Sequence, residues 1–217
     1  MNKNGNIEKI VYIPDGQIKM IGSLEIPAEA MGLVVFAHGS GSSRHSPRNN
    51  YVAKVLRSYG LGTLLLDLLT VAEDSDYEVR FDIDLLAQRM LATTKWLQEQ
   101  EDTKDLTIGY FGASTGAAAA LQTAAILGEQ ITAIVSRGGR PDLAWPYLEK
   151  VKAPTLLMVG GNDGVVIELN QKAYNKINAV KQIDIIPGAT HLFEEPGTLE
   201  RVAELAANWF VKYLIKK

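Results

Sequence analysis

Residues 109–120 read GYFGASTGAAAA, and within them Gly112-Ala113-Ser114-Thr115-Gly116 sets a serine between two glycines. The run before it, LTIGYF (106–111), is apolar and short, as a buried strand is. The run after it is rich in alanine, the best helix former. Three local readings are open. The pentapeptide is a plain strand-to-helix turn, a phosphate cradle at a helix N-terminus, or a G-x-S-x-G nucleophile elbow. In an elbow the serine takes a strained backbone conformation. Its neighbours must then be glycine, because side chains there would collide with adjacent strand and helix. The strand–turn–helix setting is the one an elbow requires.

The rest of the chain has the pattern into which such an elbow fits. Apolar runs bounded by Gly, Pro or polar residues recur at 32–38, 62–68, 106–111, 131–137, 153–160 and 182–188. Runs of this kind are strands covered on both faces. Amphipathic segments fall between them, which predicts a parallel sheet with covering helices. Ser46 and Pro47 are a cap and first-turn residue for the helix that Gly60 closes. Residues 81–100 carry Phe81, Leu85, Leu86, Met90, Leu91 and Leu97 at helical period. Further helices are expected at 116–128, at 141–150 (short), at 165–177 and at the C-terminal end. Upstream, IEKIVYI and QIKMIGSLEIP flank Pro14-Asp15-Gly16, a turn sequence, so the chain opens with an antiparallel hairpin. That makes about eight strands. With no repeat, low-complexity tract or long linker, residues 1–217 are read as a single domain.

A serine hydroxyl is a weak nucleophile without a base. The sequence has three histidines, His38, His45 and His191, and only His191 follows Ser114. It sits in IPGATHLFEEPG, between the last strand and the last helix. Asp163 lies between the two in TLLMVGGNDGVV, just beyond a strand, where an acid could orient the imidazole. Asn162-Asp163-Gly164 is also a strong turn sequence in its own right. Asp142 reads instead as a helix cap, and Asp184 lies inside a strand. The loop after the first parallel strand, FAHGSGSSRHSPRN, contains His38-Gly39-Ser40-Gly41. It is similar to the H-G-x-G oxyanion loops of lipases and esterases. The amides of Ser40 and Thr115 are the expected oxyanion donors, with Gly39 as a further candidate. His38 ends a buried strand and is expected to bond loop backbone.

With these motifs in order, the chain resembles the α/β-hydrolase superfamily, in its dienelactone-hydrolase-like branch. The early hairpin, FAHGSG, YFGAST, VGGND and THLFEEPG carry the likeness along nearly the whole length. The resemblance implies an α/β-hydrolase fold: an eight-stranded, mostly parallel sheet with the second strand antiparallel. It also implies cleavage of a carboxylic ester, lactone or thioester by a Ser114-Asp163-His191 triad, with neither metal nor organic cofactor. Dienelactone hydrolases use a cysteine nucleophile, whereas this chain has serine and no cysteine at all. The chain has no long insertion for a large lid, so an open site and a small-molecule substrate are expected.

Arg137 and Arg140 follow a strand on the catalytic edge, and Arg44 lies in the oxyanion-side loop. Arginine grips carboxylate or phosphate with a planar fork of donors. These three are candidate anchors for an anionic substrate group, unless they are spent on Asp142, Glu194 or helix caps. Trp145, Tyr147 and Phe193 either line an acyl pocket or belong to core and surface.

Composition narrows the remaining classes. A net charge of -3 gives no basic field for nucleic acid. The absence of cysteine excludes disulfides and thiolate metal sites and fits the cytoplasm. No signal peptide is visible at the start, and no apolar run suits a membrane span. A nucleotide-binding module is a rival, but the chain lacks G-x-G-x-x-G and a Walker lysine at the motif. A hydrolase fold kept as a non-catalytic binding protein is the other. Oligomeric state is left open.

Overall fold

The computed structural model describes residues 5–214. Its strands are β1 (Ile7–Asp15), β2 (Ile18–Ile26), β3 (Leu33–Ala37), β4 (Gly62–Leu66), β5 (Ile108–Ala113), β6 (Ile131–Arg137), β7 (Thr155–Gly160) and β8 (Lys181–Ile186). They form one eight-stranded sheet in the order β1-β2-β4-β3-β5-β6-β7-β8. β2 is antiparallel to both β1 and β4, and every pair from β4 onward is parallel. This is the expected sheet, with the expected antiparallel second strand. The central strands β3, β4 and β5 are buried at every position.

The helices are α1 (Pro47–Ser58), α2 (Val71–Asp74), α3 (Ile83–Glu99), α4 (Thr115–Leu127), α5 (Gly164–Lys176) and α6 (Thr198–Leu214). Alternation along the strands feeds two cores. Val34 and Phe36 of β3 join Val52 and Leu56 of α1 and Phe210 of α6 on one face. Leu33 and Val35 join Met90 of α3, Ala118 of α4 and Ala173 of α5 on the other. Side chains such as Leu56 and Leu33 are fully buried, and truncation to alanine at such sites costs about 2–5 kcal/mol. Ser46 caps α1 by accepting from the Asn49 amide.

The structure modifies three expectations. Pro14 lies inside β1, opposite Lys19, and the reversal is made by Gly16 and Gln17, with Gly16 at φ 61°. Proline is tolerated there because β1 is an edge strand. Residues 141–150 form a 3-10 helix broken at Ala144, with Pro146 inside it, because proline supplies no amide to an α-helical ladder. The connection from β4 to α3 contains the unforeseen α2, opened by a capping box between Thr70 and Glu73. The C-terminal helix is described as far as Leu214, so the last three residues of the expected helix lie outside the described residues.

Candidate active site

Ser114 occupies the step between β5 and α4 with φ 51° and ψ -121°, a conformation few non-glycine residues adopt. Backbone bonds hold it there. Its amide donates to Arg137 O at 3.2 Å, and its carbonyl accepts from Ala117 and Arg140, each at 3.1 Å. The flanking glycines are steric necessities. A Cβ on Gly112 would lie 2.4 Å from Ala117 Cα, and one on Gly116 would lie 2.2 Å from Ala37 O. The first contact lets α4 fold back on its own strand, and the second lets it press against the end of β3. The Ser114 hydroxyl makes no capping bond to the helix it precedes.

Asp163 stands at the N-cap position of α5, yet its side chain does not cap that helix. Its Oδ2 instead meets His191 Nδ1 at 2.7 Å. The turn reading of Asn162-Asp163-Gly164 holds for the backbone, while the carboxylate reaches across to another loop. The two loops are tied by the Asn162 amide on Ala189 O at 2.9 Å and the Asn162 side chain on Gly188 O at 3.0 Å. A Cβ on Gly160 would lie 2.5 Å from Ala189 O, so the approach needs glycine. Beyond His191, Glu195 accepts from both the amide and the hydroxyl of Thr190. Phe193, buried and at φ 56°, pins the turn. The imidazole lies over Gly138, whose Cβ position is 3.6 Å from His191 Cε1. Ser114 and His191 thus flank the same short stretch, Arg137–Gly138. Asp184 is on β8, bonded to Gln182, and Asp142 is paired with Arg140.

On the other side of the serine, a Cβ on Gly39 would be 3.0 Å from Ser114 Cβ and 3.2 Å from Ala113 O. The loop after β3 therefore passes directly against the elbow. The Ser40 amide donates to Thr115 Oγ1 at 3.0 Å, a use of that amide the sequence does not announce. A small recess of about 10 Å³, room for about one water, borders Ser40 and Thr115, and Gly39, Gly41, Asp74 and Arg80 are among its other walls. His38 is buried and supports the loop. Its Nε2 accepts from the Leu68 amide at 3.2 Å, leaving Nδ1 to donate to Gly39 O at 2.9 Å. Burial lowers its pKa, so this bonding suits a neutral ring.

The arginines divide. Arg44 is bound to Asp67 through both its backbone amide and its guanidinium, and Arg140 forks onto Asp142. Arg137 alone of the three has no carboxylate partner among the described residues; one nitrogen reaches Asn49 Oδ1 at 3.4 Å. Trp145 is exposed with Lys176 over its ring, and Phe193 is buried in the core. Among the described residues no helix is long and apolar enough to cross a membrane.

An open, mostly parallel sheet with a serine elbow after β5, an acid after β7 and a histidine after β8 defines the α/β-hydrolase class. Residues 77–214 match the Dienelactone hydrolase family, and the chain belongs to that family. It is similar to a solved dienelactone hydrolase from Anabaena variabilis, with 53% identity, a TM-score of 0.94, and coverage of 97% of this chain and 100% of that one. A lidless α/β serine hydrolase from Xanthomonas campestris superposes with a TM-score of 0.79 at 18% identity, covering 97% and 96%. Est1E from Butyrivibrio proteoclasticus, solved with ferulic acid bound, does so with a TM-score of 0.82 at 18% identity, covering 95% and 100%. A Mycobacterium tuberculosis protein with the provisional name phosphoribosyl transferase is 56% identical over 204 residues. The match takes in 94% of this chain and 46% of that protein, so the chain spans about half the length of the curated relative.

Proposed function

We propose that the chain is a serine hydrolase that cleaves a small carboxylic ester, lactone or thioester through an acyl-enzyme. The observation that carries this is the 2.7 Å contact between Asp163 and His191, with a serine at positive φ against the same Arg137–Gly138 stretch that the imidazole covers. Asp163 holds Nδ1–H, which leaves Nε2 as the base for the Ser114 hydroxyl. Ser114 Oγ attacks the carbonyl carbon and His191 takes its proton. The tetrahedral oxyanion is held by the Thr115 amide at the start of α4 and by Ser40 or Gly39 from the loop after β3. His191 then protonates the leaving alcohol or thiol. A water deprotonated by His191 frees the acid and restores the serine.

The dienelactone substrate class does not follow from family membership, because serine replaces the cysteine of dienelactone hydrolases. Acyl transfer needs only an activated nucleophile, and serine with its base supplies that. The phosphoribosyl transferase name attaches to a relative about twice as long. The full-length match to a dienelactone hydrolase supports reading the shared half as the hydrolase part.

Fluorophosphonate labelling and a panel of acyl esters differing in length and charge test the proposal. Wild type should label at Ser114 and turn over at least one ester. Ser114→Ala should lose labelling and several orders of magnitude in kcat. Undiminished turnover in Ser114→Ala would remove the assignment. Absence of labelling in a folded wild type would favour a non-catalytic binding protein.

A further inference from the structure

We propose that Arg137, at the end of β6, and Arg48, in the first turn of α1, form a binding site for a small oxyanion, a carboxylate or a phosphate group, behind the His191 loop. The starting point is a buried cation without a counter-charge. Arg137 is only 7% exposed. Its Nε and Nη1 are buried and have no hydrogen-bond partner, and Nη2 has only the long contact to Asn49. No carboxylate pairs with it among the described residues. The same fold shows what an arginine buried to this depth ordinarily has: Arg89 is paired with both Asp15 and Glu73. An unpaired buried charge is costly and is retained only where something neutralises it.

The neighbour of Arg137 is a second cation. Arg48 precedes Asn49, the partner of Arg137, and binds Glu194, which follows the Phe193 that Arg137 faces; burial first, and then the charge of Arg48, lower the Arg137 pKa to about 10. Arg48 also has a buried, unpartnered Nε. Its one acid, Glu194, is 61% exposed and meets Nη1 only. Three buried nitrogens, Arg137 Nε and Nη1 and Arg48 Nε, are left without a partner, and they are the donors that would receive planar or tetrahedral oxygens. Arg48 is 30% exposed, so an anion has a route in along its side chain. The Glu194 bridge is an exposed one that an incoming anion can replace at little cost.

The site borders the catalytic loop without being part of the triad. The Arg137 guanidinium sits 5.8 Å from the centre of the Phe193 ring, two residues after His191. Arg137 O also receives the Ser114 amide. The oxyanion has two conceivable sources: a free anion, or the negative end of a substrate whose acyl carbon reaches Ser114.

Inorganic phosphate, titrated at constant ionic strength while thermal unfolding is followed, tests the site without any appeal to activity. Wild type should gain Tm with a saturating dependence on phosphate. Arg48→Gln should weaken the midpoint at least about tenfold. Arg137→Met should abolish the gain while melting no lower than wild type in anion-free buffer, because an apolar side chain replaces an unpaired buried charge. No saturable gain in wild type, or equal gain in all three proteins, would overturn the site. The source is read separately and rests on the hydrolase assignment. Phosphate that inhibits cleavage of a hemisuccinate ester competitively, and spares the matching acetate ester, supports a substrate subsite. Equal effects on both esters support a free-anion site.

Discussion

The Ser40 amide, proposed as an oxyanion donor, is bonded to the hydroxyl of Thr115, the residue that follows the serine. The resting site therefore holds one of its two proposed donors on a side chain. When charge develops on the substrate oxygen, the Ser40 N–H has a stronger acceptor than a neutral hydroxyl. The Thr115 bond is then a ground-state interaction, given up as the transition state forms. Thr115→Val should accordingly lose about 1 kcal/mol of stability, with kcat/KM staying within about threefold of wild type. Denaturant melts and ester kinetics on one preparation check both halves. A fall of about a hundredfold, the scale of a lost oxyanion contact, would mean that the Thr115 hydroxyl is needed in the transition state.

Gly39 presses on the same elbow from the other side. The atoms that a methyl group would meet, Ser114 Cβ and Ala113 O, belong to the elbow itself. They cannot yield as a flexible side-chain tip would. Gly39→Ala should shift the nucleophile and cost about 1–3 kcal/mol of stability. It should also lower kcat by at least about tenfold, since small misplacements are expensive at a reacting centre. An active, equally stable Gly39→Ala protein would contradict the packing of this loop.

Ser114 carries a second testable property, its backbone. A serine at φ 51° and ψ -121° stores about 1–3 kcal/mol of strain. Glycine adopts such a conformation freely but loses about 0.5–1 kcal/mol through its more flexible unfolded chain. Ser114→Gly should therefore gain about 1 kcal/mol net, a rise in Tm of about 2–4 °C. It should at the same time abolish ester hydrolysis. Calorimetry on Ser114→Gly beside Ser114→Ala separates strain relief from loss of the hydroxyl, because only glycine relieves the strain.

Much of this architecture was legible in residues 32–191, and the exceptions have identifiable causes. The strand runs are short, apolar and bounded by glycine, proline or polar residues, so their number could be read directly and their ends to within about two residues: the run at 106–111 became β5 at Ile108–Ala113. Asp163 could be preferred over Asp142 and Asp184 because its loop follows a buried strand, and in the structure it faces His191. The pairing of Arg140 with Asp142 was within reach, being two residues away. That of Arg44 with Asp67 was not, because it depends on two strand ends lying side by side. The Ser40–Thr115 bond and the Arg48–Arg137 pair join elements far apart in sequence and have no periodic signal. The short α2 did leave a mark, the Thr70-x-x-Glu73 capping box, but too few residues follow for a helical period to show.

The carboxylate of Asp163 makes its bond to imidazole rather than to its own helix. Asp163→Asn keeps the shape but offers Nδ1 an amide that can present a donor, favouring the wrong tautomer. The expected loss in kcat is about 10³–10⁴-fold, with KM little changed. Stability should move by no more than about 1 kcal/mol, because the pair is partly solvated. Steady-state kinetics and a melt suffice. A kcat within tenfold of wild type would leave His191 without its proposed orienting group.

His38 gives the chain an acid sensitivity separate from catalysis. Burial lowers its pKa from 6.5, against opposing contributions from its bond to Gly39 and from Asp67 and Asp74. The sign follows from proton uptake. As pH falls below about 6.5, His38 in the unfolded chain binds a proton that the folded chain refuses, so the unfolded state is favoured. Stability from this group is complete above that pH and declines below it until the folded-state pKa is passed. Protonation would also fill the Nε2 position that accepts the Leu68 amide. Glu73 behaves differently: burial raises its pKa, but bonds from Thr70 and Arg89 outweigh that and lower it overall. Its contribution is present above about 4.5 and is lost as pH falls further. Two windows of acid loss should therefore appear in the unfolding free energy. The upper one should flatten in His38→Asn and the lower one in Glu73→Gln, as read from urea melts taken across the pH range. An unchanged upper slope in His38→Asn would show that His38 does not set that window.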